Sequence, residues 1–222
     1  MSYNADWVMW GVNLRHRQKK AKGDSAMATN PKEIPYHYYS LDEYFALEQA
    51  SDARFEYWDG DIICMSGGSI THYLISSNVH GALVLALRGG RCRAFTGDAA
   101  IWTPTFPPYR YPDASVVCGE LQTRHVNVLD AILNPVVIVE VLSPSTKALD
   151  EGKKFEAYKA IPTFREYLLI AQDEAHVVHY LRRAEEAWER RDVTDMDASL
   201  ELESVHCALK LRDIYEGLTF TA

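Results

Sequence analysis

The stretch NPVVIVEVLSPSTKALDEGKKFEAYKAI, residues 134–161, sets a near-continuous apolar run around one carboxylate, Glu140, and follows it with adjacent lysines at 153 and 154. Residues 135–142 are too apolar to face water on either side, so they read as a core strand covered on both faces. A lone ionised carboxylate in such a strand must find a cation, a proton or strong donors. A bound metal ion and a nearby Lys or Arg are the two natural partners. Residues 149–161 then predict a helix ended by Pro162.

Working outward, Ser40 followed by Glu43 is a capping-box pattern, and Leu41, Tyr44, Phe45 and Leu47 form an apolar stripe, which predicts a helix over 41–49. RFEYWDGDIICMS, 54–66, predicts a hairpin turning at Asp59-Gly60. The longest helix is expected between the paired glycines of 67–90, where Leu74, Ile75, Val79, Leu83 and Leu87 recur at helical spacing. RCRAFTGDAAIWT (91–103) and DASVVCG (113–119) read as strands, and 165–183 as a hairpin turning at 172–174. Segments 187–193 and 198–204 extend the strands, and 211–217 closes with a short helix. The succession predicts an α/β fold, a mixed β-sheet flanked by helices with additional hairpins.

With 222 residues, 47% hydrophobic and 24% charged, the chain can fill one well-packed core. Residues 1–26 hold five Lys or Arg against two Asp, leaving 18 basic and 29 acidic residues in 27–222, a formal charge of −11. The expectation is a disordered extension over 1–30, with Met27 as an alternative start, followed by a single domain over 31–222; a DNA-tethering basic arm at 15–22 is the other reading. No apolar run approaches the length of a membrane span, so no membrane partner and a cytoplasmic location are expected. The net charge of −8 argues against a protein that coats DNA by charge alone. Cys64, Cys92, Cys118 and Cys207 form no CxxC pair, which predicts reduced structural thiols and no zinc framework. There is neither a GxxxxGK[ST] phosphate loop nor a GxSxG elbow, which disfavours an ATPase and an α/β-hydrolase.

A second acid stands at the start of another apolar strand. In YRYPDASVVCG, 109–119, Pro112 fixes the backbone before Asp113 and removes one main-chain donor. If that strand neighbours the Glu140 strand, the two carboxylates, a backbone carbonyl and water make an oxygen-rich site suited to Mg2+. Three further places carry candidate chemistry. Glu56 lies in the first hairpin, where cross-hairpin pairing is the alternative to a site role. His72 follows GGSIT at the long helix's start, where a phosphate contact or a proton-carrying role competes with ordinary capping. Ser143 and Ser145 leave the Glu140 strand, suited either to substrate contacts or to a capping turn.

YPDASVV, NPVVIVEVLSPST and GKKFEAYKAIPTFREYLLI, preceded by RFEYWDGDIICMSGGSITH, together resemble the "putative restriction endonuclease" family also called Uma-two, within the PD-(D/E)XK nuclease superfamily. The similarity runs from about residue 41 to 215. It implies a restriction-endonuclease-like fold, Asp113 and Glu140 as the motif acids, and Leu142 where the superfamily has its lysine. Lys154 is implied as the substitute, with Glu56 a recurrent family acid. The implied activity is Mg2+- or Mn2+-dependent hydrolysis of phosphodiester bonds, DNA before RNA, with the metal on Asp113, Glu140 and the Val141 carbonyl. Nucleic acid and a second copy of the chain are the expected partners. The competing expectation is an inactive member that keeps the fold as an interaction module.

Overall fold

In the computed structural model the described residues are 37–65, 67–105, 109–126, 129–184 and 187–220, all within one compact unit. The expected extension over 1–30 and its basic run lie outside them. Helix α1 (Leu41–Ala50) starts as its sequence requires. Ser40 Oγ accepts the Glu43 N–H at 3.2 Å, and Glu43 Oε2 accepts the Ser40 N–H at 2.6 Å, closing the capping box. Strands β1 (Phe55–Trp58) and β2 (Asp61–Cys64) form the hairpin. Its turn residues Asp59 (φ 50°) and Gly60 (φ 93°) are both left-handed, as a type I′ turn demands.

Helix α2 (Ile70–Ala86) buries Ile75, Val79 and Leu83. After it come β3 (Cys92–Thr96), β4 (Ile101–Trp102), β5 (Tyr109–Arg110), β6 (Ala114–Cys118), β7 (Thr123–Val126), β8 (Leu129–Ile132) and β9 (Pro135–Leu142). The crossover holds α3 (Lys147–Leu149), a π-helical turn (Asp150–Lys154) and α4 (Phe155–Lys159). The remaining elements are β10 (Glu166–Ala171), β11 (Val177–Arg182), β12 (Trp188–Val193), β13 (Ser199–Leu202), β14 (Cys207–Lys210) and α5 (Leu211–Ile214). The predicted helix over 149–161 thus begins earlier, changes to π pitch in its middle, and stops before Pro162.

The principal sheet has the order β12-β11-β10-β9-β6-β3. Only β9 and β10 are parallel within it, joined by the helical crossover, while the other neighbours are antiparallel. A second sheet, β5-β4-β8-β7, and the two-stranded β13-β14 accompany it. The expected single strand over 91–103 therefore divides, because β3 and β4 belong to different sheets.

Strand β9 is covered on both faces, as its composition requires. Val137, Val139 and Val141 pack with Ile75, Val79 and Leu83 of α2. Ile138 and Leu142 pack with Phe155, Tyr158, Phe164 and Tyr167 on the opposite face. The two-residue period of a strand places Glu140 on this second face, beneath the crossover helix.

One expectation is overturned. Cys92 and Cys118 form a disulfide rather than remaining reduced. They are direct cross-strand neighbours in the β3–β6 ladder, a relation that their separation of 26 residues does not display.

Candidate active site

Asp113 and Glu140 both stand at the end of β9, Asp113 held from the α2 side and Glu140 beneath the crossover helix, within electrostatic reach of each other. The β6–β9 ladder pairs Ala114 with Val139, and continued by two residues it would set Pro112 opposite Val141. Proline has no N–H, so the ladder stops and the main-chain groups of Val141 on this side need other partners. Asp113 supplies one: its Oδ2 accepts the Val141 N–H at 2.6 Å. A Cβ at Gly97 would stand 3.1 Å from the Pro112 carbonyl oxygen, so the absence of a side chain there lets this bend sit close to the end of β3.

Helix α2 approaches Asp113 from its first two turns. Ser76 Oγ donates to Asp113 Oδ1 at 3.2 Å, and His72 Nε2 lies 3.3 Å from the same oxygen. Burial disfavours the imidazolium, but the neighbouring Asp113 carboxylate outweighs it and raises the His72 pKa. Ser69 caps α2 by accepting the His72 N–H at 3.0 Å. Capping and an Asp113 contact are both realised, by different parts of this segment.

On the other face of β9 lies a buried charge cluster. Lys154 Nζ is 3.2 Å from Glu140 Oε1, 3.2 Å from Asp150 Oδ1 and 3.4 Å from Glu56 Oε1. All four side chains are at most 4% exposed. Tyr158 donates its hydroxyl to Glu140 Oε1 at 2.9 Å, one turn beyond Lys154. Glu56 is fixed by the Tyr111 N–H at 2.7 Å and the Trp58 indole N–H at 3.0 Å. Arg110 lies 3.6 Å over the Trp58 ring, which holds the indole in place.

The π-helical turn explains how Lys154 arrives there. Asp150 and Lys154 form an i,i+4 pair and both point inward, whereas Lys153 turns outward to Asp59 at 2.8 Å on the surface. Asp150 is the member that sequence reasoning missed; its spacing four residues before Lys154 was the available signal. Ser143 and Ser145 do not join the cluster. Their hydroxyls lie 2.9 Å from each other, and Ser143 Oγ also lies 2.9 Å from Thr146 Oγ1 and accepts the Thr146 N–H, a self-satisfied turn before the crossover.

Electrostatics follow from the count of charges. Burial pushes the Glu140 carboxyl well up against the pull of Lys154, and the Asp150, Asp113 and Glu56 charges push it further. Burial likewise raises Asp150, partly opposed by Lys154. Burial by itself would strip the Lys154 proton, but Glu140, Glu56 and Asp150 hold its pKa well above the ordinary lysine value. Tyr158, buried beside Glu140, is held as the neutral phenol. Glu140 and Asp150 thus share the Lys154 ammonium, and Glu56 lies between Lys154 and the buried Arg110 guanidinium.

The donors at this edge fit a hard divalent cation in kind, being the Asp113 and Glu140 carboxylates and the Val141 carbonyl. Among the described residues no three His, Cys, Asp or Glu side chains gather as a metal-binding group, so the remaining ligands would be main chain and water. No described helix is long and apolar enough to cross a membrane.

Comparison with known proteins identifies the family and the fold. The profile of the family Uma2, described as "Putative restriction endonuclease", matches residues 41–212. Two uncharacterised Synechocystis proteins are similar: slr1290, 32% identical over 194 residues that cover 87% of this chain and 100% of that protein, and sll1609, 31% identical over 159 residues that cover 72% and 89%. The crystal structure of a putative nuclease of DUF820 from Anabaena variabilis matches with a TM-score of 0.62 at 22% identity, covering 79% of this chain and 97% of that one. That likeness shows the fold, a mixed α/β architecture with sheets flanked by helices. By the extent of the profile match and of the relatives, the chain belongs to the Uma2 family.

Proposed function

We propose that this chain is a nuclease that hydrolyses phosphodiester bonds, in DNA before RNA, with Mg2+ or Mn2+ at the Asp113–Glu140 edge. The observation that carries the reading is the bond from the Val141 N–H to Asp113 Oδ2. It ties the Pro-Asp bend to the residue after Glu140, so Asp113 is fixed at the same end of β9.

In this reading Asp113, Glu140 and the Val141 carbonyl hold the cation. A divalent ion bound there supplies charge for a non-bridging phosphate oxygen and lowers the pKa of a bound water. Asp113 is oriented for that task by Val141, Ser76 and His72. Glu140 is oriented by Tyr158 and Lys154. An ammonium has three N–H donors, and Lys154 Nζ stands against three carboxyl groups. Its first role is therefore to fix Glu140 and offset charge. Its hydrogen bond goes to Glu140, so to orient the attacking water, as the resemblance implies, it would use the donors that face Asp150 and Glu56 across ion-pair contacts.

A second reading, a nuclease fold kept as an interaction module, is favoured by Leu142, which is buried in the core at the motif's lysine position. One experiment separates them. Purified protein with Mg2+ or Mn2+ is offered single- and double-stranded DNA and RNA beside Glu140→Gln and Asp113→Asn. Cleavage that both substitutions abolish supports the nuclease; equal background from all three proteins supports the interaction module.

A further inference from the structure

The two edges of the principal sheet are defended differently. At one edge β12 carries four consecutive charged residues, 189–192, tied in ion pairs, a common way of keeping an open edge from pairing. At the other edge β3 pairs with β6 alone among the described residues, and uncharged Ala94 stands at its middle.

The phase of the β3–β6 ladder decides which groups of β3 are open. The Gly119 N–H donates to the Arg91 carbonyl at 3.0 Å. By the alternation of an antiparallel ladder, Arg93 with Val117 and Phe95 with Ser115 are then the hydrogen-bonded pairs. The main-chain groups of Cys92, Ala94 and Thr96 therefore point away from β6. The Cα atoms of Cys92 and Cys118, 3.9 Å apart, have the close approach of a non-hydrogen-bonded pair, in agreement. Among the outward carbonyls, that of Cys92 accepts from Arg93 at 2.8 Å and that of Thr96 from the Ala99 N–H at 3.1 Å. Each keeps a second lone pair. Beside this strand a groove of about 410 Å3 runs against α2, lined by Val84, Leu87, Cys92 and Ala94 among others.

We propose that the β3 edge is where two copies of this chain pair, antiparallel about a two-fold axis through Ala94. The register that uses all three outward residues sets Ala94 against Ala94 and Cys92 against Thr96; an axis through Arg93 would oppose two arginines. In the Ala94 register Arg93 faces Phe95 of the partner subunit, where a guanidinium can lie on a ring. Arg91 comes opposite Gly97 of the partner subunit, next to Asp98, a carboxylate whose side chain is 73% exposed. The basic end of each strand thus meets the acidic end of the other. An axis perpendicular to the sheet brings both α2 helices to the same face, with the groove and the half-exposed Val84 of each copy between them. Such an interface is isologous and closes at two copies, joining two six-stranded sheets into one.

Sedimentation equilibrium over a range of concentrations reads the mass of full-length wild type, Ala94→Pro, Arg91→Asp, Asp98→Arg and the last two combined, with thermal melting to verify folding. Wild type should approach twice the chain's 25.2 kDa. Ala94→Pro removes an outward N–H and leaves the β3–β6 ladder its donors, so it should fold and remain monomeric. If it fails to melt cooperatively, the charge exchange decides. Arg91→Asp and Asp98→Arg should each raise the dimer Kd about tenfold by setting like charges face to face, and the combination should return to within about threefold of wild type. Asp98→Arg also breaks the exposed pair with Arg54, equally with and without Arg91→Asp. Within one copy residues 91 and 98 stand roughly 20 Å apart along the strand, so recovery has to come from contact between copies. A monomeric wild type overturns the proposal, and an oligonucleotide that then protects Arg88 and Arg91 from a guanidinium-directed reagent would give the groove to nucleic acid. A dimer that survives Ala94→Pro unchanged, or a combined variant no better than either single one, overturns it by placing the contact elsewhere.

Discussion

Lys154 Nζ lies 3.2 Å from Glu140 Oε1 across the interface between the crossover helix and β9, both side chains almost wholly withdrawn from water. Substituting Lys154 by Met leaves Glu140 and Asp150 buried without the cation between them. Breaking a buried ion pair from one side costs about 3 to 5 kcal/mol. Urea unfolding should show a loss of that order for Lys154→Met. Lys153→Met, which breaks only the exposed pair with Asp59, should cost less than about 1 kcal/mol. Equal effects would refute the assignment of Lys154 as the structural cation.

Tyr158 and Asp150 orient the same cluster from opposite ends. Tyr158→Phe deletes one buried donor to Glu140 and should destabilise by about 1 to 3 kcal/mol. Asp150→Asn removes one of the carboxyl groups that keep Lys154 protonated. The Lys154 pKa, read by NMR of a side-chain-labelled sample, should fall relative to wild type. No movement would place Asp150 outside the cluster's electrostatics.

The disulfide has a measurable weight. Cys92 and Cys118 close a loop whose ends are 26 residues apart, for which the chain-entropy estimate is about 3.5 kcal/mol. Reductant should lower the unfolding midpoint, and Cys92→Ser should lower it equally and become insensitive to reductant. Mass spectrometry under denaturing, non-reducing conditions that finds four alkylatable thiols would contradict the pairing.

Acid sensitivity is expected at the surface network of β12. Two arginines, Arg191 and Arg183, hydrogen-bond Glu189 and depress its pKa to about 2 from 4.5. For a depressed acid the stabilisation is present above the unfolded value and is lost as pH falls through the folded one. The window is therefore about pH 4.5 down to about 2. Arg191→Ala together with Arg183→Ala should return the Glu189 NMR titration midpoint towards 4.5 and remove this part of the acid dependence.

Much of this organisation is legible along the chain because its signals are local. The Ser40–Glu43 box and the Asp59-Gly60 turn depend on residues within a few positions, and the helical apolar spacing of α2 follows from one element's own periodicity. Glu140 stands out since a carboxylate in an eight-residue apolar strand contradicts its surroundings. Asp150 escaped notice because a helical acid four residues before a lysine ordinarily lies on a solvated face; here a π-helical turn carries both inside.

By itself the sequence determined the first helix and hairpin, the long helix, the strand that had to be covered on both faces, and the residue types that demand partners. Tertiary structure alone decided which partners those are. Glu56 and Lys154 are 98 positions apart in the chain numbering, yet β1 and the crossover helix bring them to 3.4 Å. His72 meets Asp113 only because α2 packs along the end of β6 and β9. The physical reason is that backbone conformation answers to near neighbours, whereas the compensation of a buried charge depends on distance in space and on the exclusion of water, neither of which the order of residues records.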